Sequence, residues 1–201
     1  MILEYPGVVG SGEIYLDVMK AICGDTSDKS MVDLMCHHAP YTPLLGFKEC
    51  VYVDILDRGL DHKEEQKYFV KSDVFEFLWI NSEIKKWDFI ICSDGIEHLS
   101  KIDGHYLLGS IRMLSKSHII FTPTRDSNLL NDDNPDSHKS SWEPTDFPPN
   151  YVIINFPDFH PSLNMGAFFA FGTSNAAQEF NRIKSEIENK KWAINYGSDK
   201  I

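Results

Sequence analysis

Short apolar runs of strand length alternate along this chain with segments that have helical periodicity. Runs rich in valine, isoleucine and phenylalanine, without strict apolar–polar alternation, are typical of strands buried on both faces of a parallel sheet. The first five such runs are MVDLMC (31–36), CVYVDIL (50–56), KYFV (67–70), WDFIIC (87–92) and SHIIFTP (117–123). Strands separated by helices in this way predict βαβ units and a doubly wound α/β sheet.

The segments between these runs carry the signals of amphipathic helices. In residues 72–84, Asp73 is a candidate N-cap and Glu76 follows three residues later, which is the capping-box spacing. In residues 103–116, apolar side chains recur at helical spacing: Leu107, Leu108, Ile111 and Leu114. Two further helices are predicted, over residues 12–23 and 174–192.

The pattern changes near the end of the chain. YVIINF (151–156) and GAFFAFGT (166–173) are predicted to be strands, and their connection, 157–165, is too short for the crossover that parallel neighbours need. We therefore expect an antiparallel pair at an edge of the sheet. The preceding segment, 123–150, is long and irregular, which is typical of a functional loop, and we expect it to lie on the substrate side.

Length and charge limit the classes of protein to which the chain can belong. A length of 201 residues suits one α/β domain over 1–201, with an N-terminal helical segment over 1–28. Its formal net charge is −11, from 19 basic and 30 acidic residues. Binding to duplex nucleic acid depends on lysine and arginine, so this balance argues against such a partner.

Hydropathy and cysteine usage indicate the compartment. No apolar run approaches the roughly 18 residues of a membrane span, and the start of the chain has acids and no basic region, which argues against a secretory signal. The four cysteines lack metal-type spacing. We expect them to be free thiols in a reducing cytoplasm.

Six segments of the chain occur in an order and spacing that can be compared with a known family. They are MVDLMC (31–36), CVYVDIL (50–56), VKSDVFEF (70–77), WDFIICSDGIEHLSK (87–101), MLSKSHIIFTPT (113–124) and HKSSWEPTDF (138–147). Together they resemble the class I S-adenosylmethionine-dependent methyltransferases. The fourth segment is the most specific, because a small residue, an acid and then Glu-His-Leu is a recurrent ending of that family's fourth strand. The last resembles a His-x-Ser-x-Trp segment of many bacterial and phage members.

The resemblance implies a fold, a cofactor and a set of binding residues. The fold is a Rossmann-like sheet of seven strands in the order 3-2-1-4-5-7-6, with strand 7 antiparallel, and the cofactor is S-adenosylmethionine. Asp33 matches the acid of the first strand, and Asp54 matches the acid that binds the ribose hydroxyls. Asp73 and Val74 match positions beside the adenine. The other expected cofactor-binding residues are Met35, Cys36, His37, Ile55 and Ser93.

Sheet geometry gives independent support for Asp54. In an open α/β sheet the ligand lies outside the carboxyl ends of the strands, where the strand order reverses. A carboxylate at the end of the second strand can accept hydrogen bonds from both ribose hydroxyls. The alternative for Asp54 is a helix N-cap, although no convincing helical segment starts there.

The loop after the first strand departs from the family pattern. The family typically has Gly-x-Gly there, whereas this chain has no glycine between Gly24 and Gly46. One explanation is that Met35 and His37 adopt backbone angles that non-glycine residues tolerate, with the cofactor slightly further out. The other is that the site no longer binds the cofactor and the scaffold serves another purpose.

Methyl transfer is an in-line displacement that needs alignment and sometimes a base for the acceptor proton. The candidate catalytic residues are His98, His138 and Asp94. His98 could equally cap or pack against the next helix, and His138 could be an exposed loop histidine. Trp142 is expected to anchor the long loop, either to the core or against a substrate.

A metal site is not expected from the sequence. Cys36, His37 and His38 are possible zinc ligands, but adjacent histidines on a loop rarely point at one centre. The chain also has no Cys-x-x-Cys or His-x-x-x-His.

The sequence thus leads to two functional hypotheses. The first is a cytoplasmic methyltransferase of phage or bacterial type that uses S-adenosylmethionine and acts on a small molecule, a glycan or a protein. The alternative is a non-catalytic binding or regulatory module on a degenerate methyltransferase scaffold.

Overall fold

A computed structural model describes residues 1–83, 86–124, 129–130 and 132–193. Within these ranges the chain forms one eight-stranded sheet and four α-helices. The strands are β1 (Ile2–Glu4), β2 (Ser30–Leu34), β3 (Glu49–Asp54), β4 (Phe69–Lys71), β5 (Trp87–Ser93), β6 (Ser115–Thr124), β7 (Val152–His160) and β8 (Met165–Thr173). The helices are α1 (Gly12–Cys23), α2 (Val74–Asn81), α3 (Lys101–Leu114) and α4 (Ala176–Glu188). Helices were thus found in all four predicted places.

The strand order confirms the predicted topology and adds one strand to it. The order is β1-β7-β8-β6-β5-β2-β3-β4. Strands β2 to β6 pair in parallel among themselves, and β8 pairs antiparallel with both β6 and β7. The seven predicted strands therefore lie in the predicted order, with the last strand antiparallel, and the sheet has eight strands rather than seven.

The additional strand also changes which strand lies at the edge. β7 and β8 pair antiparallel as predicted, but β7 is not an edge strand, because β1 pairs with it in parallel, Ile2 opposite Ile153. The Ile153 amide donates a hydrogen bond to the Met1 carbonyl at 2.8 Å. The N-terminal segment is therefore a strand followed by a helix, and a strand of three residues is too short to produce a readable hydropathy pattern.

Two cores explain why the central strands are apolar throughout. In β5, Ile91 packs into the core beneath α1 and α4, whereas the adjacent Ile90 packs into the core beneath α2 and α3. Both side chains are fully buried. Successive residues of a strand point to opposite faces, so a sheet covered by helices on both faces needs apolar residues at consecutive positions.

The N-terminus of α2 confirms the predicted cap. Asp73 Oδ1 accepts hydrogen bonds from the amides of Phe75 and Glu76, at 2.8 and 3.2 Å. These bonds satisfy donors that lack partners in the first helical turn. The predicted end of this helix, at residue 84, lies outside the described residues.

The long loop after β6 is anchored to α3 by Trp142. Residues 125–128 and 131 of the predicted 123–150 loop lie outside the described residues. The Trp142 side chain is fully buried, and Lys101 Nζ lies 3.8 Å from the centroid of its ring. Gly104 of α3 meets the same ring, since a Cβ built at this glycine would lie 2.4 Å from it. Trp142 therefore packs against the core.

The cysteines in the described ranges are free thiols, as predicted. No helix in the same ranges combines the length and the apolar character that a membrane crossing would require.

The two glycines of α3 test the Trp142 anchor. Gly104→Ala should lower the free energy of unfolding by about 1–3 kcal/mol, because the new methyl group overlaps a buried ring. Gly109→Ala is the matched control: a Cβ there meets nothing within 4 Å. That substitution should raise the free energy of unfolding by up to about 1 kcal/mol through helix propensity. Urea denaturation followed by circular dichroism measures both free energies of unfolding. Equal effects of the two substitutions would contradict the anchoring of the loop by Trp142.

Candidate cofactor and active site

Two adjoining cavities lie at the carboxyl ends of the central strands. The first, of about 250 Å³, lies beside the ends of β3 and β4 and the start of α2. The second, of about 330 Å³, lies beside the ends of β2 and β5 and the start of α1. Both are lined by His37, Asp94, His98 and Asp136. This is the crevice in which open α/β sheets bind ligands.

The structure brings the predicted cofactor-binding residues together around these two cavities. The first cavity is lined by Met35, His37, Asp54, Ile55, Asp73 and Val74. The second is lined by Asp33, Cys36, His37 and Ser93. Of the three predicted catalytic residues, Asp94 and His98 line both cavities, and the ring of His138 lies 4.9 Å from the ring of His98.

The glycine-free loop adopts a backbone that usually requires glycine. Met35, His37 and Ala39 have φ values of 56°, 49° and 45°, which place every second residue in the left-handed region. Hydrogen bonds hold this shape: the Cys36 amide donates to the Val53 carbonyl at 3.1 Å, and the Ala39 amide donates to the Cys36 carbonyl at 2.7 Å. The loop thus has the backbone angles that the first of the two explanations required.

Asp54 binds this loop and is not a helix N-cap. Its Oδ2 accepts a hydrogen bond from the His37 amide at 2.9 Å, and its Oδ1 accepts one from the Leu56 amide at 2.9 Å. A carboxylate has about four acceptor sites, so each oxygen can accept one more donor. Asp54 can therefore hold the loop and bind a ligand in the first cavity.

Asp33 places a buried carboxylate beside the second cavity. Only 2% of its surface is exposed. Its Oδ2 accepts a 2.5 Å hydrogen bond from Thr42 Oγ1, while its Oδ1 has no hydrogen-bond partner in the described structure. Burial raises the pKa of Asp33 to about 7, and the nearby Asp54 adds to that rise. A cationic group in the second cavity would pair with this carboxylate and offset the cost of its burial.

A second group of side chains lies where the turn that follows β5 meets the long loop after β6. The potential ligand atoms of Glu97, His98 and His138 lie within 4.8 Å of one another. Glu97 is 1% exposed, and its Oε2 accepts a hydrogen bond from Thr122 Oγ1 at 3.0 Å. The loop that carries His138 is held against this turn, because the Lys139 amide donates to the Glu97 carbonyl at 2.7 Å.

The hydrogen bond of His98 defines its free nitrogen. Its Nδ1 lies 3.3 Å from the Ser137 carbonyl, which can only accept, so Nδ1 carries the proton. The lone pair is then on Nε2, as in histidines that bind a metal through one nitrogen and donate from the other. Two imidazoles and a carboxylate can bind a divalent cation and leave coordination positions open.

Sequence reasoning missed this cluster and one ion pair. It considered Cys36, His37 and His38 as ligands, whereas the candidate metal group found in the described residues joins Glu97 and His98 to a histidine of the long loop. The ion pair joins Arg58 Nη2 to Asp136 Oδ1 at 2.5 Å, and both residues line the first cavity. His98 and His138 were among the predicted catalytic residues, whereas Glu97 was not, although the Glu-His dipeptide after β5 was an available signal for it. The folded loop shows that the three side chains lie together.

Comparisons with solved structures identify the fold. The small RNA methyltransferase HEN1 superposes with a TM-score of 0.55 and 17% identity, over 81% of this chain and 25% of HEN1. The chain has the class I methyltransferase fold. Magnesium protoporphyrin IX methyltransferase (ChlM) from Synechocystis PCC 6803 with bound SAH superposes with a TM-score of 0.55 and 12% identity, over 80% of this chain and 82% of ChlM. A SAM-dependent methyltransferase from Archaeoglobus fulgidus superposes with a TM-score of 0.54 and 20% identity, over 81% of this chain and 95% of that protein.

Sequence comparison adds nothing to this assignment: no family model matches the chain, and no curated protein matches it. Within this fold, the 35–40 loop directly follows β2, a central strand of the sheet.

Two substitutions of His37 isolate the backbone cost of this loop. His37→Ala and His37→Gly both remove the imidazole, but only glycine removes the Cβ from the left-handed conformation. We expect the glycine variant to be more stable than the alanine variant by about 1 kcal/mol. The same pair at His38, which is not left-handed, is the control and should show the opposite order, because glycine has the more flexible unfolded chain. Urea denaturation of the four variants measures these stabilities. If the glycine and alanine variants have the same order of stability at both positions, the backbone strain at His37 is refuted.

Proposed function

We propose that this chain is a methyltransferase that uses S-adenosylmethionine and acts on a hydroxyl group of a small molecule, a glycan or a protein. The observation that carries this proposal is the meeting of the two cavities at Asp94 and His98. A cofactor that occupied both cavities would present its reactive centre close to the Glu97, His98 and His138 cluster.

The residues present fit the cofactor. Asp54 would accept hydrogen bonds from the ribose hydroxyls, and Asp73 and Val74 would border the adenine in the first cavity. The α-ammonium group would lie in the second cavity near Asp33, whose Oδ1 has no hydrogen-bond partner in the described structure. The ChlM structure named above holds SAH, which supports a cofactor of this kind for the fold.

The cluster beside the two cavities adds a role for a divalent cation. Glu97, His98 and His138 would hold it, and its chemistry would be Lewis-acid polarisation of the acceptor hydroxyl. With both histidines engaged in this way, Asp94 is the candidate that would accept the hydroxyl proton. The acceptors named for the neighbouring structures are a small RNA and a porphyrin, so these names do not indicate a common acceptor.

Cofactor binding is tested by isothermal titration with SAH. Wild-type protein should bind, and Asp54→Ala should weaken binding by about 30-fold to 1,000-fold, which corresponds to 2–4 kcal/mol for a lost charge-assisted contact. Asp57→Ala is the matched control, because Asp57 accepts a hydrogen bond from the Gly59 amide in the same loop and does not line either cavity. If the folded wild-type protein fails to bind at millimolar SAH, the non-catalytic scaffold replaces this proposal.

The metal cluster is tested with Mn²⁺ as the probe. Titration followed by electron paramagnetic resonance should detect one bound ion per chain, and His138→Ala should weaken its binding at least tenfold while SAH affinity stays within a factor of two. His62→Ala removes a histidine outside the cluster and should change neither affinity. Equal Mn²⁺ binding by the wild-type and His138→Ala proteins would remove the cation from the proposal and leave the cofactor site intact.

A further inference from the structure

A third cavity opens beside the site and has a different character. Its volume is about 230 Å³, and it shares Tyr15, Tyr41 and Asp94 with the second cavity. The residues that belong to it alone include Phe121, Phe159 and His160, together with the Gly10–Gly12 segment before α1. It therefore extends from Asp94 towards Phe121, Phe159 and His160, which line neither of the other two cavities.

The walls of this cavity are a continuous series of aromatic rings. Tyr41 contacts Tyr15 with ring centroids 4.9 Å apart, and Tyr15 contacts Phe121 edge-on at 5.1 Å. Phe121 contacts Phe159 at 5.6 Å, and Phe159 contacts His160 at 4.9 Å. The Tyr15 hydroxyl is engaged with Ser93 Oγ at 2.5 Å. These residues offer ring faces and edges, which suit a planar aromatic group.

The backbone on one side of the cavity is adapted to these rings. A Cβ at Gly10 would lie 2.3 Å from the Phe159 ring, and a Cβ at Gly12 would lie 2.6 Å from the Tyr41 hydroxyl. Such distances are far below van der Waals contact, so only glycine lets the chain approach both rings. The Gly-x-Gly pattern at these positions is thus explained by ring packing.

Charge and size narrow the class of ligand. Among the residues that the structure describes, Asp94 is the only acid that lines the cavity and none of the lining residues is a lysine or arginine, so these residues offer no cation that would neutralise a phosphate. An apolar cavity of about 150 Å³ holds one benzene ring. A volume of about 230 Å³ therefore admits one substituted ring.

We propose that the acceptor carries a planar aromatic ring that occupies this third cavity and presents its neighbouring hydroxyl group to Asp94. This inference rests on the proposed function and names the acceptor class for the same site. The ring could belong to an aryl alcohol or to the base of a nucleoside, because both present a flat face of similar size beside an alcohol.

Matched ligand pairs test the ring. Benzyl alcohol and cyclohexylmethanol carry the same CH₂OH group and differ in the planarity of the ring. Cytidine and methyl riboside carry the same ribose and differ in the presence of a base. Each is titrated into SAH-saturated protein. We expect the aromatic member of at least one pair to bind at least tenfold more tightly than its partner. Preference in the first pair would identify an aryl acceptor, and preference in the second a nucleoside.

Two variants confine the effect to the third cavity. Phe159→Leu and His160→Ala alter residues that line this cavity and neither of the other two. Each should reduce the aromatic preference at least fivefold while the dissociation constant of SAH stays within a factor of two. Phe159 is buried and His160 is partly exposed. Two variants are therefore used, so that a folding defect in one of them does not prevent the test with the other.

The outcomes separate this inference from the proposed function. Absence of a preference in both pairs, or preferences that survive in folded variants of both kinds, would overturn the aromatic acceptor while SAH binding still supports a methyltransferase. Failure of the wild-type protein to bind SAH would instead overturn the proposed function, and the aromatic acceptor with it.

Discussion

The parallel register of β2, β3 and β5 is the constraint on which the candidate site depends. β2 lies between the other two strands, with Asp33 opposite both Tyr52 and Ile91. Because parallel strands end at one edge of the sheet, the loops that follow them must meet there, whatever their sequences. This brings Asp54 within hydrogen-bonding distance of the 35–40 loop and places Asp94 across the crevice. The helices that cover both faces of the sheet leave that edge open to ligands.

The 35–40 loop shows how a chain can do without the usual glycines. A left-handed residue other than glycine costs on the order of 1–2 kcal/mol, so three of them would not persist without compensation. Compensation comes from hydrogen bonds to β3, above all from the His37 amide to the Asp54 carboxylate. Ala39, with the smallest side chain of the three, is the buried one, and His37 extends to solvent. Partial burial and the adjacent His38 lower the pKa of His37, which favours a neutral ring beside the cavities.

More of the fold than of the candidate site could be predicted from the sequence. Continuous apolar runs such as WDFIIC predict doubly buried strands because burial on two faces is a local requirement of each residue. The β1 strand was not predicted, because three residues at a sheet edge are too few to show a hydropathy period. His138 was predicted as a catalytic candidate, but its place beside Glu97 and His98 was not. The Lys139 amide and the Glu97 carbonyl hold its loop there, and a backbone contact of this kind cannot be predicted from the pattern of side chains. The left-handed angle at Ala39 was not predicted either, because alanine does not signal it.

The charges around the crevice fit the proposed cofactor better than they fit its product. Asp33, Asp54, Asp94 and Asp136 line the first two cavities, and Arg58 is paired with Asp136. S-adenosylmethionine carries a sulfonium charge that disappears on methyl transfer, so the attraction that favours the substrate form weakens once the methyl group has left. The same acids would repel a polyanionic acceptor, in agreement with the overall charge of −11. An uncharged ring in the third cavity avoids that repulsion, and Asp94 alone among these acids lines that cavity and so lies where the cofactor and acceptor would meet.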